Sequence, residues 1–169
     1  MAEKLLGEQT VSFGARLAAS SSFSGLFRDG MKLVEETASY LDGPGRKESK
    51  KLDRAAALCY ATESMRLTTR LMQLASWLLL HRAVNEGEMS LAQANKEKAK
   101  VKLSAGEHND EHNIMLVPER LRILIQRSKA LQKAVRRLDA TMHAGPGRVS
   151  SNNPVERQLG LLRAAFEHE

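Results

Sequence analysis

A chain of 169 residues is about one domain's worth, on the usual expectation of roughly 100–200 residues per domain. Its 24 leucines and 21 alanines stand against 8 Val, 3 Ile and 6 Thr, with only 7 Phe, Trp and Tyr, which argues against a sheet-based fold and the α/β scaffolds of most nucleotide-dependent enzymes. A hydrophobic fraction of 42% excludes global disorder, and a net charge of +6 invites an acidic partner (nucleic acid, anionic membrane or protein) without choosing among them.

Residues 1–21 read as a loose N-terminal arm, with Gly7, Gly14 and the serines Ser20 to Ser22 and no sustained period. The arm holds Lys4 and Arg16 but no continuous apolar stretch, so secretion is not expected. The first helix follows over about 22–42. Phe23, Leu26, Phe27, Met31, Val34, Ala38 and Leu41 recur at three- and four-residue steps and share one face. Gly43-Pro44-Gly45 stops it, a glycine being free to take the left-handed turn and proline being unable to continue a helix.

The second helix is expected over about 46–86, uninterrupted by proline or glycine and roughly 60 Å long at ~1.5 Å per residue. Leu67, Leu71, Leu74 and Leu78 form one apolar row, and Met65, Met72, Ala75 and Leu79 an adjacent one. Together they make a face wide enough for two partner helices. The strongest apolar stretch, Leu74 to Leu80, is far short of the about 18 residues that a membrane span needs. Cys59, the single cysteine, cannot form an internal disulfide and fits a reducing cytoplasm. With no acid or histidine beside it in sequence, it reads as a small core residue rather than a nucleophile.

Gly87 ends the central helix, and Ser90-Leu91-Ala92-Gln93 has the form of a capping box opening a short basic helix near 91–103. Residues 104–117 read as a loop. Within it, His108-Asn109-Asp110-Glu111-His112 spells the H-x-x-E-H of an inverted zinc-protease motif. That chemistry needs a rigid helix in a walled cleft, whereas these residues lie in the most polar part of the chain, so neither zinc nor any other cofactor is expected.

Pro118 opens the last long helix, about 118–143. Leu121, Leu124, Ser128, Leu131, Val135, Leu138 and Met142 alternate at steps of three and four, the spacing of a coiled-coil seam. The opposite face carries Arg120, Arg122, Arg127, Lys129, Lys133, Arg136 and Arg137 against Glu119 and Asp139. No helix-turn-helix punctuation or aromatic stacking platform accompanies these cations, so a solvated face is the stronger reading; a DNA-associated basic helical protein is the alternative. Gly145-Pro146-Gly147 terminates the helix. In the tail, 144–169, Asn153-Pro154-Val155-Glu156 supplies a cap, and Val155, Leu159, Leu162 and Phe166 follow at helical spacing. Such a segment either folds back on the bundle or serves as a peptide ligand for a groove elsewhere.

The fold expected is therefore all-α: an antiparallel, up-down-up three-helix bundle over 22–143, with a short accessory basic helix and a flexible C-terminal tail. The candidate partner-binding residues are Glu63, Arg66 and Arg70, which share a helix face, and Leu159, Leu161, Leu162 and Phe166 of the tail. The two arginines are a like-charge i, i+4 pair, which costs a few tenths of a kcal/mol unless an acid answers it. Glu63 answers part; either Glu35 or Glu36 completes an ion-pair lattice, or the face docks another protein. The surplus apolar face of the central helix predicts a homodimer. No catalytic constellation is found, and the chain is not expected to be an enzyme.

The run YATESMRLTTRLMQLASWLL, Tyr60 to Leu79, with Glu86-Gly87-Glu88-Met89 after it and the LDGPGR turn of Leu41 to Arg46 before it, closely resembles the RcdA family, the regulators of CtrA degradation, over about residues 31–103. The resemblance implies a cytoplasmic α-proteobacterial adaptor: a non-enzymatic, typically dimeric three-helix bundle that helps the ClpXP protease receive cell-cycle substrates such as CtrA. It further implies action on a ClpX unfoldase primed by a response regulator, alongside substrate proteins and co-adaptors. A mobile tail would contribute to engaging the machine. A family catalytic motif is not implied.

Overall fold

The computed structural model describes residues 21–100 and 111–143, and these are helical throughout apart from short connections. The elements are α1 (Ser21–Asp42), α2 (Pro44–Ser49), α3 (Arg54–Asn85), α4 (Leu91–Lys100), α5 (Glu111–Leu116) and α6 (Glu119–His143). Three long helices, α1, α3 and α6, each pack against the other two. None of the described helices is long and apolar enough to cross a membrane. The N-terminal arm, apart from Ser21, and the tail 144–169 lie outside the described residues.

The core is assembled from the expected stripes. Phe23, Leu33 and Tyr40 of α1 meet Leu67, Leu71, Leu74, Trp77 and Leu78 of α3, and Leu121, Leu124, Ile125, Leu131, Val135 and Met142 of α6. The Leu67 row is buried as its spacing predicts. The neighbouring Met65 row is not: the second inward strip of α3 runs instead through Glu63, Trp77 and His81, all buried. Trp77 explains the choice, since its ring fills the space between Phe23 and His81, with centroids at 6.3 and 4.2 Å, and burying an aromatic of this size removes more apolar area than a methionine can.

Four expectations need correction. The central helix is not continuous from residue 46. Pro44 opens the one-and-a-half-turn α2 at its first position, the chain breaks over 50–53, and Asp53 starts α3 afresh, its carboxylate accepting the Ala56 N–H at 2.8 Å. The Gly43 turn is not left-handed either, with φ at −111°. Gly87 is the position that uses positive φ, +75°, to end α3. The region expected as a loop over 104–117 contains α5. His108 lies outside the described residues, as does the side chain of His112.

The fourth correction is the path of the chain. α1 runs antiparallel to α3, since Phe23 meets Trp77 while the groove at Ala38 and Leu41 is shared with Thr68 and Leu71. It also runs antiparallel to α6, with Glu36 on Arg127 and Tyr40 under Arg120. But α3 and α6 are parallel: Cys59 pairs with Asn113 just before α6, Arg70 with Ser128, and Trp77 with Asp139. The course is up-down-down, not up-down-up. A crossover running from α4 to α5 returns the chain from the end of α3 to its beginning, and both helices pack along α3 on the way. Ser90 and Gln93 close the expected capping box at its start, each side chain accepting the other's backbone N–H at 3.2 and 3.1 Å.

Candidate interaction surface

Local helix periodicity places Glu63, Arg66 and Arg70 along one side of α3, and packing decides what they meet. Glu63 is buried, and its Oε1 accepts from the Arg66 guanidinium at 2.7 Å while Arg66 remains 44% exposed. Arg70 reaches across to α6 and donates to the Ser128 hydroxyl at 3.0 Å, which itself donates to the Ile125 carbonyl at 2.7 Å. The face is thus turned largely into the α3–α6 junction. Glu36 of α1 does not complete it. Glu36 binds Arg127 instead, and that hydrogen bond, the leading cause, holds its carboxyl below the ordinary carboxylate range. Cys59 is half-buried against the core, its thiol donating to the Asn113 amide oxygen at 3.4 Å.

The outward side of α3 is different in kind. Leu58, Met65, Met72 and Leu79 are 70, 71, 66 and 52% exposed, and they stand at successive seven-residue intervals. Ala61, Thr68 and Ala75 lie between them at steps of three and four, so large and small residues alternate down one exposed seam, a pattern that suits close approach of another helix. Beside it runs a groove of about 300 Å³ between α1 and α3, lined by Val34, Ala38, Leu41, Leu71 and Met72 among others. Its wall includes Thr37, which is 3% exposed and whose hydroxyl has no hydrogen-bond partner among the described residues. Buried hydroxyls are rarely left so.

The basic face of α6 is partly tied inward. Arg127 is held by Glu36, Arg120 lies over the Tyr40 ring at 5.4 Å, and Arg122 donates to the Met115 sulfur at 3.7 Å. On the crossover, Lys98 is paired with Asp139. No cluster of three or more His, Cys, Asp or Glu side chains placed to hold a metal occurs among the described residues.

Residues 14–166 match a family described as a protein of unknown function, DUF1465. A solved structure, that of RcdA from Caulobacter crescentus CB15, shares 52% identity with this chain, the match covering 76% of this chain and 96% of that one at a TM-score of 0.60. The chain belongs to the RcdA family. No curated protein matches it.

For this RcdA-family chain the structure alters the set of candidate residues. Glu63, Arg66 and Arg70 are brought together by α3, but all three make internal contacts, Glu63 with Arg66 and Arg70 with Ser128, and of them Arg66 stays the most open, at 44% exposed. Leu159, Leu161, Leu162 and Phe166 lie outside the described residues. Leu58, Met65, Met72, Leu79 and Thr37 are additions. The seven-residue interval that marks Leu58, Met65, Met72 and Leu79 is readable in the sequence alone. Thr37 carries no such signal, because its burial arises only when the helices pack.

Proposed function

We propose that this RcdA-family chain is a cytoplasmic, non-enzymatic adaptor that helps deliver cell-cycle regulatory proteins of the CtrA type to the ClpXP protease by tethering. Its partners on this reading are the ClpX unfoldase, substrate proteins, co-adaptors and a second copy of itself. The observation that carries the reading is the 52% identity to RcdA across nearly the whole of that chain. An adaptor of this kind needs no reacting groups. It raises the concentration of cargo around the protease to an effective value in roughly the millimolar range for short linkers.

The bundle supports such a role by supplying a rigid strut, α3, with an unpaired apolar seam down its outer side. On this reading a second copy covers the seam, through Leu58, Met65, Met72 and Leu79, and the tail residues Leu159 to Phe166 engage the protease. A pull-down with and without residues 148–169, reading out protease subunits, tests it. The full chain retains ClpX and the shortened one does not. Equal retention by both removes the tail from the account.

A further inference from the structure

We infer that the chain's own segment 154–166 docks on the open side of α3, along the Met65–Leu79 seam and over the α1–α3 groove, so that tail docking and self-association compete for one face. The inference rests on the reading above that this seam is a contact surface, and it names what regulates access to it.

Four observations carry it. Val155, Leu159, Leu162 and Phe166 are spaced four, three and four apart, which gives a helix one apolar stripe of the same register as the exposed seam of α3. A helix over those 13 residues is about 20 Å long, and Met65 to Leu79 spans about 21 Å of α3. The lengths match.

Reach is sufficient. α6 ends at His143, beside the part of α3 just beyond Trp77, since Asp139 accepts the Trp77 indole N–H. The seam lies on the other side of α3, so the tail must pass one helix. Two helix-to-helix spacings of 8–10 Å put its destination about 20 Å away. The ten residues 144–153 extend to roughly 33–36 Å. The N-terminal end of the segment therefore arrives at Leu79 and can run toward Met65.

The groove itself is suited to a docked side chain. It is walled largely by aliphatic residues of α1 and α3, which suits an apolar stripe. Finally, a lone helix this short is marginal in water and gains its order from a surface to lie on. Docking in cis makes that surface available at high effective concentration.

The test uses the full chain with its methionine methyl groups labelled, diluted until sedimentation shows a monomer. Met65 and Met72 report from the seam and Met115, 67% exposed on α5, is the reference. Substituting Leu162→Asp and Phe166→Asp shifts the Met65 and Met72 methyl signals and leaves Met115 in place. The same variant self-associates at least about tenfold more tightly, because a face no longer occupied in cis is wholly available to a partner. Seam signals that ignore the tail substitutions, or that move only with protein concentration, overturn the inference and leave a second copy as the occupant. Protease capture is not the readout, so failure here is distinct from failure of the adaptor reading.

Discussion

At the corner between α1 and α2, a Cβ added to Gly45 would stand 2.8 Å from the Tyr40 carbonyl oxygen and 2.6 Å from the Tyr60 hydroxyl. Backbone cannot swing aside as a side-chain end can, so Gly45→Ala forces the corner open. The expected cost is about 1–3 kcal/mol, read as a lowered denaturation midpoint at unchanged m-value. Tyr40 closes the same corner by donating its phenol to Glu48 Oε2 at 2.7 Å. Burial first, and then this bond to a carboxylate, push its pKa above the ordinary tyrosine value of 10.0. A raised folded pKa means that the unfolded chain loses this proton first, so stability is intact below about pH 10 and declines as pH rises beyond it. Urea titrations between pH 8 and 11 show that decline in the native chain. Tyr40→Phe, which has no proton to lose, reduces it and leaves the share of Tyr60, whose pKa burial also raises. An equal decline in the variant assigns it to other groups.

Among the elements, the crossover is fastened at its two ends, by Cys59 with Asn113 and by Lys98 with Asp139. Asp139 also accepts the Trp77 indole N–H at 2.9 Å, and Trp77 is 1% exposed. Asp139→Ala therefore removes the partner of a buried donor, at about 1–3 kcal/mol, and loosens α4. Hydrogen exchange should quicken across residues 91–100 and leave the middle of α3 unchanged; uniform quickening contradicts the assignment. The element boundaries set by local chemistry were legible in the sequence: Gly87, Ser90 with Gln93, and Pro118 act within a few residues of themselves. The break over 50–53 was not legible. It has no glycine or proline, and depends on Asp53 capping α3 and on Gly45 packing beneath Tyr40 and Tyr60. α5 escaped for a related reason, because a six-residue helix in a polar stretch is held by α3, not by its own periodicity.

For the molecule as a whole, periodicity identifies which faces are apolar but not which way a distant helix runs. The parallel pairing of α3 with α6 is decided by where the crossover lands, a matter of long-range contacts between residues more than fifty apart, such as Arg70 with Ser128. The same distinction governs the candidate site. Glu63, Arg66 and Arg70 were legible as a cluster, whereas the burial of Glu63 and the reach of Arg70 to Ser128 were not. The Met65 row was legible as apolar, but was read as facing partner helices within the bundle; that it lies on the outer side, available for assembly, was not legible. Met72→Glu, at a 66% exposed position, should leave the thermal midpoint within a few degrees while converting a concentration-dependent dimer to monomer in sedimentation. A native chain that sediments as a monomer at every concentration removes the dimer.

On the adaptor reading proposed above the protein brings cargo to a protease, and the decisive measurement is steady-state proteolysis of a CtrA-type substrate by ClpXP with and without it. Tethering raises local concentration without altering the machine, so KM for the substrate should fall severalfold while kcat stays constant. An unchanged KM, with or without a change in kcat, contradicts the account.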